Sequence, residues 1–127
     1  MTKLVRILIV EDAKTAQAVA KLHLTELNCT VDTADNGIAA LAKANATAYD
    51  AILMDLSLSN GPNGFETTHL IKTQSRLNKN TPIIALTIHS EAQFNVQAAA
   101  VGMAGFLYKL FTLSEAKELL DSIKKDK

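Results

Sequence analysis

Short apolar runs recur along the chain and alternate with longer segments of mixed polarity. The runs are Leu4–Val5 with Ile7–Val10, a weaker one at Thr30–Ala34, then Ala51–Met54, Ile83–Leu86 and Phe106–Tyr108. Each run is too short to form a helix on its own. Most are nearly continuous rather than alternating, which is typical of strands buried on both faces of a parallel sheet.

Five segments of helical length follow these runs. They are Ala13–Leu27, Ile38–Ala46, Phe65–Leu77, Ser90–Val101 and Thr112–Lys124. The last two open with polar pairs three residues apart, Ser90 with Gln93 and Thr112 with Glu115, which is the capping-box pattern. The order strand–helix, repeated five times, predicts an α/β domain over residues 1–127. A doubly wound parallel sheet of five strands with right-handed crossovers follows from it.

Composition and charge narrow the class of protein. The 127 residues are 48% hydrophobic and 20% charged, which is ordinary for a globular domain and excludes disorder. A net charge of +0 argues against direct binding of nucleic acid. Cys29 is the only cysteine, so no internal disulfide can form, and no apolar run reaches the ~20 residues of a membrane span. We therefore expect a cytoplasmic domain that makes no membrane contact itself.

Polar residues stand where the predicted strands end. Glu11 and Asp12 follow the first run, Asp55 the third, Thr87 the fourth and Lys109 the fifth. In open parallel sheets, ligands bind outside the carboxyl ends of the strands. Three carboxylates, a hydroxyl and an ammonium are therefore expected to share one pocket.

Such a pocket needs added positive charge. Two like charges ~4 Å apart repel by about 4 kcal/mol at an effective dielectric constant of ~20. Lys109 supplies one positive charge, and a divalent cation would supply more. Oxygen ligands without histidine or cysteine favour Mg²⁺ or a similar hard ion such as Mn²⁺. Because Mg²⁺ binds carboxylates together with phosphate, the sequence predicts a metal-assisted phosphoryl site.

The sequence resembles the receiver domain of two-component response regulators over essentially its whole length. The resemblance rests on the stretches RILIVEDA, ADNGIAAL, YDAILMDLSL, TPIIALT and GFLYKLFT. It implies the flavodoxin-like (βα)5 receiver fold with strand order 2-1-3-4-5. TPIIALT and NGFE look more like receivers of hybrid histidine kinases and phosphorelays than like those of DNA-binding regulators.

The resemblance also implies roles for the polar residues. Asp55 is the expected phosphoacceptor, taking a phosphoryl group from a phosphohistidine of a histidine kinase or histidine phosphotransfer domain. Asp12 and Asp55 are expected to bind Mg²⁺ (or Mn²⁺) directly. Glu11 assists through water, and the Ser57 backbone carbonyl is a further ligand. Lys109 is expected to pair with the carboxylate and then with a phosphoryl oxygen.

Two further residues form the family's switch. Thr87 is expected to hydrogen-bond the phosphoryl group, and Phe106 to rotate into the space that Thr87 leaves. Phe106 lacks the hydroxyl of the tyrosine often found there, which favours an inward orientation even without phosphate. The alternative is that Phe106 is a core residue on a buried strand. The predicted function is a signalling switch rather than an enzyme, with at most self-phosphorylation and self-dephosphorylation.

Departures from the family pattern fall close to the predicted site. Leu110 stands where a proline, often with a cis bond, usually follows the lysine, so either a trans peptide with a shifted loop or a cis peptide is expected. Ile88 replaces a small residue and is expected either to narrow phosphodonor access or to slow dephosphorylation. His89 is either a surface residue or a group that tunes the attacking water. The loop DLSLSNGPNGFE lacks the common Met-Pro and is one residue longer before Gly64.

Other single residues are given structural interpretations. His23 and His69 are expected to be exposed on helices, and Cys29 to be partly buried packing.

Three other functions compete with the signalling switch. Leu110 and Ile88 support a divergent receiver that takes no phosphate and acts as a protein-binding module. A phosphohydrolase with an aspartyl-phosphate intermediate would need a second acid where Ser57 stands. A flavin-binding domain would need a phosphate loop rich in serine, threonine and glycine in place of the acidic EDAKTA. The sequence leaves open whether the chain forms a homodimer.

Overall fold

Five parallel strands form one sheet with five helices in the computed structural model, which describes residues 4–88 and 92–125. The strands are β1 (Arg6–Val10), β2 (Thr30–Ala34), β3 (Ala51–Asp55), β4 (Ile83–Thr87) and β5 (Gly105–Tyr108). The helices are α1 (Lys14–Glu26), α2 (Gly37–Ala46), α3 (Gly64–Gln74), α4 (Ala92–Ala100) and α5 (Leu113–Lys125). The strand order is β2-β1-β3-β4-β5, so the predicted α/β fold and its strand order are confirmed.

The nearly continuous apolar runs arise because helices cover both faces of the sheet. Along β1, Ile7 and Ile9 enter one core cluster, whereas Leu8 and Val10 enter the other. All residues of β3 and β4 are buried as well. The edge strand β5 is different, because its residues are alternately half-buried and exposed.

Helix ends follow local hydrogen bonding. At the start of α5, Thr112 and Glu115 form the predicted capping box, with backbone-to-side-chain bonds of 3.0 and 3.1 Å. A second capping box, Asn63 with Glu66, begins α3. Ser90 lies outside the described residues, so the capping pair Ser90 with Gln93 stays a prediction. The predicted α3 end at Leu77 is wrong, because the helix ends at Gln74.

The chain turns away at this point because its next residue is tied to a neighbouring helix. Ser75 is buried, and its hydroxyl donates a hydrogen bond of 2.9 Å to the Ala44 carbonyl of α2. Leu77, beyond the turn, is exposed.

Three side chains test the structural interpretations. The prediction of an exposed His23 is wrong, because this side chain is half-buried with its ring 6.0 Å from that of Phe111. His69 is exposed as predicted. Cys29 is more buried than predicted and belongs to the core cluster that contains Ile7.

Within the ranges that the structure covers, no helix has both the length and the apolarity needed to cross a bilayer.

Phe106 is not a core residue. It is 43% exposed on the edge strand β5, and its ring packs edge-on against Tyr108 with centroids 5.5 Å apart. The alternative that placed Phe106 in the core is therefore wrong, and so is the expectation of an inward orientation. An apolar run in the sequence does not reveal that alternate residues of its strand are exposed.

Candidate functional site

Three carboxylates meet at the carboxyl edge of the sheet. One ligand oxygen from each of Glu11, Asp12 and Asp55 lies within 4.8 Å of the others. Glu11 and Asp55 are each only 1% exposed, and Asp12 is half-buried. β1 and β3 are neighbours in the sheet, which is why residues at their ends come together.

Lys109 compensates part of this negative charge. Its Nζ lies 2.9 Å from Glu11 Oε1 and 2.9 Å from Asp55 Oδ1. Its backbone N–H donates a 2.8 Å hydrogen bond to the Thr87 carbonyl, which ties the end of β5 to the end of β4. The Lys109–Leu110 peptide is cis, which is one of the two expected geometries. Burial alone lowers the pKa of Lys109, but its interactions with Asp55 and Glu11 outweigh burial and hold that pKa above its usual value.

The two acids at the end of β1 differ in environment. Burial, and then the nearby Asp55 carboxyl, raise the pKa of Glu11 to about 7, although the Ala13 N–H at 3.0 Å from Oε2 acts in the opposite direction. Partial burial also raises the pKa of Asp12, but hydrogen bonds led by those from Ser59 hold it below its usual value. Asp12 therefore ionises more readily than Glu11 at neutral pH.

Two parts of the chain that follow Asp55 restrict its side chain and its backbone. The Ser57 N–H donates a 2.9 Å hydrogen bond to Asp55 Oδ1. Gly64, the first residue of α3, has no room for a side chain, because a Cβ there would clash with the Asp55 carbonyl and Leu56 Cα. The start of α3 thus packs directly against the backbone of the central carboxylate.

The donor set fits a hard divalent cation. Asp55 Oδ2 is buried, and no hydrogen-bond donor among the described residues reaches it. If all three carboxylates are ionised, a single ammonium leaves the cluster with excess negative charge. Buried charges need pairing, and an all-oxygen cluster suits Mg²⁺ or Mn²⁺.

The remaining predicted residues lie around this cluster. Thr87 is buried at the end of β4, next to Tyr108 in the register of the sheet. Ser57 is exposed in the loop after β3, and Ile88 is 66% exposed. His89 lies outside the described residues.

The structure brings Glu11, Asp12, Asp55 and Lys109 into one cluster. The effect of Ile88 on phosphodonor access stays a prediction.

Sequence reasoning missed two described residues whose side chains hydrogen-bond the acids of the cluster. Ser59 hydrogen-bonds Asp12, and Gln17 Nε2 donates to the Glu11 carbonyl at 2.9 Å. Gln17 also donates to Asp35 Oδ1, which links α1 to the loop after β2. Neither residue follows a strand directly, so the strand-end rule that found the other polar residues does not reach them.

Comparison with known proteins agrees with this geometry. The family profile of the response regulator receiver domain matches residues 7–123. Transcription factor prr1 of Schizosaccharomyces pombe is 38% identical over 115 residues, which are 91% of this chain and 21% of prr1. The chain spans less than half of the length of prr1 and of several other curated relatives that it matches.

Solved structures share the same fold. Chemotaxis protein CheY4 of Vibrio cholerae is 30% identical with a TM-score of 0.86, covering 95% of this chain and 99% of that one. The receiver domain of sensor histidine kinase PA1611 of Pseudomonas aeruginosa is 31% identical with a TM-score of 0.84, covering 94% and 97%. The PA1611 structure is described as having a magnesium ion coordinated in its active site cleft.

Proposed function

The chain belongs to the response regulator receiver domain family of two-component signalling, and within it we propose that this protein is a phosphorylation-dependent switch with Asp55 as phosphoacceptor. The observation that carries the proposal is the Asp55 carboxylate, 1% exposed and 2.9 Å from the Lys109 ammonium, in a cluster with two more acids. A buried carboxylate beside a fixed cation at the carboxyl edge of a parallel sheet is suited to transient phosphorylation.

The phosphoryl donor is a phosphohistidine of a histidine kinase or histidine phosphotransfer domain. An Asp55 carboxylate oxygen forms the new bond to phosphorus, and the bond between phosphorus and the imidazole nitrogen breaks. The electron pair of the broken bond stays on the imidazole. Lys109, held 2.9 Å from both Glu11 and Asp55, turns to a phosphoryl oxygen and balances the charge that has arrived.

Glu11, Asp12, Asp55 and the Ser57 backbone carbonyl are the groups that would hold Mg²⁺ or Mn²⁺. A bound divalent cation supplies positive charge to the phosphoryl oxygens during transfer. The buried Asp55 Oδ2 without a donor and the all-oxygen cluster support this assignment. So does the magnesium ion described in the PA1611 receiver, which is 31% identical to this chain.

Thr87 and Phe106 form the proposed response. The Thr87 hydroxyl, buried at the end of β4, hydrogen-bonds the phosphoryl group once Asp55 carries it. Phe106, 43% exposed and in contact with Tyr108, then turns inward on β5. The surface of α4, β5 and α5 changes with it, so a partner protein reads the phosphorylation state. The protein acts in the cytoplasm as a switch and not as an enzyme with turnover.

Intact-mass measurement after incubation with a phosphodonor tests the proposal. Wild-type protein, with Mg²⁺ and either acetyl phosphate or a phosphorylated histidine phosphotransfer domain, is expected to gain one phosphoryl group. The Asp55→Asn variant and a sample with EDTA are expected to gain none. Asp121→Asn on α5 is the matched control, and it is expected to react as wild type does.

Two results would count against the proposal. An adduct that persists in Asp55→Asn would place the phosphoryl group elsewhere. Wild-type protein that takes no phosphoryl group from either donor, although folded, would favour a protein-binding module that works without phosphate.

A further inference from the structure

The loop between β3 and α3 returns to the acidic cluster through one residue, Ser59. Its hydroxyl donates a hydrogen bond of 2.9 Å to Asp12 Oδ2, and its backbone N–H donates one of 3.2 Å to the same oxygen. The two residues are 47 positions apart in the chain. A carboxylate with two donors from one residue on one oxygen is restricted in both position and rotation.

The loop geometry presents Ser59 in this way. Leu58, the residue before it, is 6% exposed and belongs to the core cluster that contains Leu8. The two residues after it, Asn60 and Gly61, have φ angles of 58° and 129°, which turn the chain sharply. The loop is therefore anchored in the core on one side of Ser59 and reverses direction on the other.

Asp12 needs such a restraint. It is half-buried and lies among two other carboxylates, whose repulsion favours rotation of its side chain toward solvent. Lys109 reduces this repulsion but does not hold Asp12 in place, because its ion pairs in the described part of the chain are with Glu11 and Asp55. The donors of Ser59 instead hold Asp12 beside the other acids, with Oδ1 left free of Ser59.

We infer that Ser59 is a positioning residue for metal binding, which holds the Asp12 carboxylate in the orientation that a divalent cation requires. The inference rests on the proposed function, because it takes Asp12 as a metal ligand. Groups that orient a metal ligand without touching the metal typically change metal affinity by about 10–100-fold. Ser59→Ala removes the hydroxyl but keeps the backbone donor, so the low end of that range, about 10-fold, is expected.

The first measurement is calorimetric titration of the unphosphorylated protein with MgCl₂. Ser59→Ala is expected to weaken Mg²⁺ binding about 10-fold, whereas Ser59→Thr, which keeps both donors, is expected to stay within about twofold of wild type. Ser122→Ala is the matched control, because it makes the same serine-to-alanine change at an exposed position on α5. It is expected to bind Mg²⁺ as wild type does.

The second measurement separates positioning from general stability. Urea unfolding is followed for each variant in EDTA and at an Mg²⁺ concentration well above the dissociation constant. A 10-fold loss of affinity removes about 1.4 kcal/mol of the stabilisation that Mg²⁺ adds. A merely structural role for Ser59 would instead lower stability equally in both solutions and leave the Mg²⁺ increment unchanged.

The Mg²⁺ titrations distinguish a failure of the positioning role of Ser59 from a failure of the proposed metal site. Wild-type protein that binds Mg²⁺ while Ser59→Ala binds it equally well overturns the positioning role and leaves the proposed function standing. Tighter binding in Ser59→Ala also overturns it, since Ser59 would then compete with the cation. Wild-type protein that binds no Mg²⁺ contradicts the metal site of the proposed function itself, and the positioning role falls with it.

Discussion

Asn78 is predicted to be the residue on which the amino edge of the sheet depends most. Its side chain is fully buried and makes four hydrogen bonds. The Oδ1 atom accepts from the Tyr49 N–H at 2.9 Å and from the Thr81 hydroxyl at 3.0 Å. The Nδ2 atom donates to the carbonyls of Ala44 at 2.6 Å and Thr47 at 2.7 Å. One amide thus joins the loops that enter β3 and β4 to the end of α2.

The cost of Asn78→Ala follows from what remains unpaired. The Ala44 carbonyl keeps a hydrogen bond from Ser75, and the Thr81 hydroxyl keeps the Tyr49 carbonyl as an acceptor. The Tyr49 N–H and the Thr47 carbonyl each lose the Asn78 partner. At about 1–3 kcal/mol for each buried unsatisfied group, and with some water entry, we expect a loss of about 3–4 kcal/mol. That is a large part of the ~5–15 kcal/mol typical of whole domains.

Urea unfolding followed by far-UV circular dichroism measures this loss, since the chain has no tryptophan. Asn80→Ala is the matched control, because Asn80 is exposed two residues further along the same loop. It is expected to change the free energy of unfolding by less than about 0.5 kcal/mol. A cost below about 1 kcal/mol for Asn78→Ala would show that water or loop movement replaces the lost partners and would refute the accounting.

Three further substitutions test other parts of the structure. Lys109→Ala removes the ammonium that pairs with two buried carboxylates. Phosphorylation by acetyl phosphate, monitored by intact-mass measurement, is expected to slow at least about 10-fold. A wild-type rate would contradict the role of Lys109. Phe106→Ala is expected to cost less than about 1.5 kcal/mol in urea, because the ring is 43% exposed, whereas a cost of about 3–5 kcal/mol would return it to the core. Burial, followed by the 2.6 Å bond to Asp32, raises the pKa of Tyr49. The unfolded chain therefore loses this proton first, so the hydroxyl stabilises the fold below pH ~10 and less above it, and Tyr49→Phe is expected to flatten the fall in stability between about pH 9 and 11. Equal slopes for wild type and Tyr49→Phe would count against that assignment.

The α/β class and most of the cluster could be predicted because both depend on rules that operate along the strand, whereas the strand order was expected only from the family resemblance. Burial on two faces produces continuous apolar runs, and parallel strands place their carboxyl ends at one edge. These rules predict that Glu11, Asp12, Asp55 and Lys109 lie together, as they do in the structure. They are insensitive to small errors at element ends.

The features that could not be predicted depend on contacts between elements, and the sequence does not show which elements contact each other. Phe106 is exposed because β5 is the edge strand, and His23 is half-buried because Phe111 packs against it. Ser59 reaches Asp12 through a loop whose path depends on left-handed residues at Asn60 and Gly61. The Asn-Gly pair predicts a turn, but it does not predict which distant carboxylate that turn contacts.

Buried polar groups have different surroundings at the amino edge and at the carboxyl edge of the sheet. At the amino edge, the Asn78 amide joins the loops before β3 and β4 to the end of α2, and each hydrogen bond lies between neutral partners. At the carboxyl edge, one ammonium faces two buried carboxylates, and Asp55 Oδ2 meets no donor from the described residues. Buried polar groups in folded proteins are normally satisfied, and exceptions concentrate where ligands bind. The amino edge therefore contributes stability, whereas the carboxyl edge retains an excess of negative charge that a divalent cation is suited to balance.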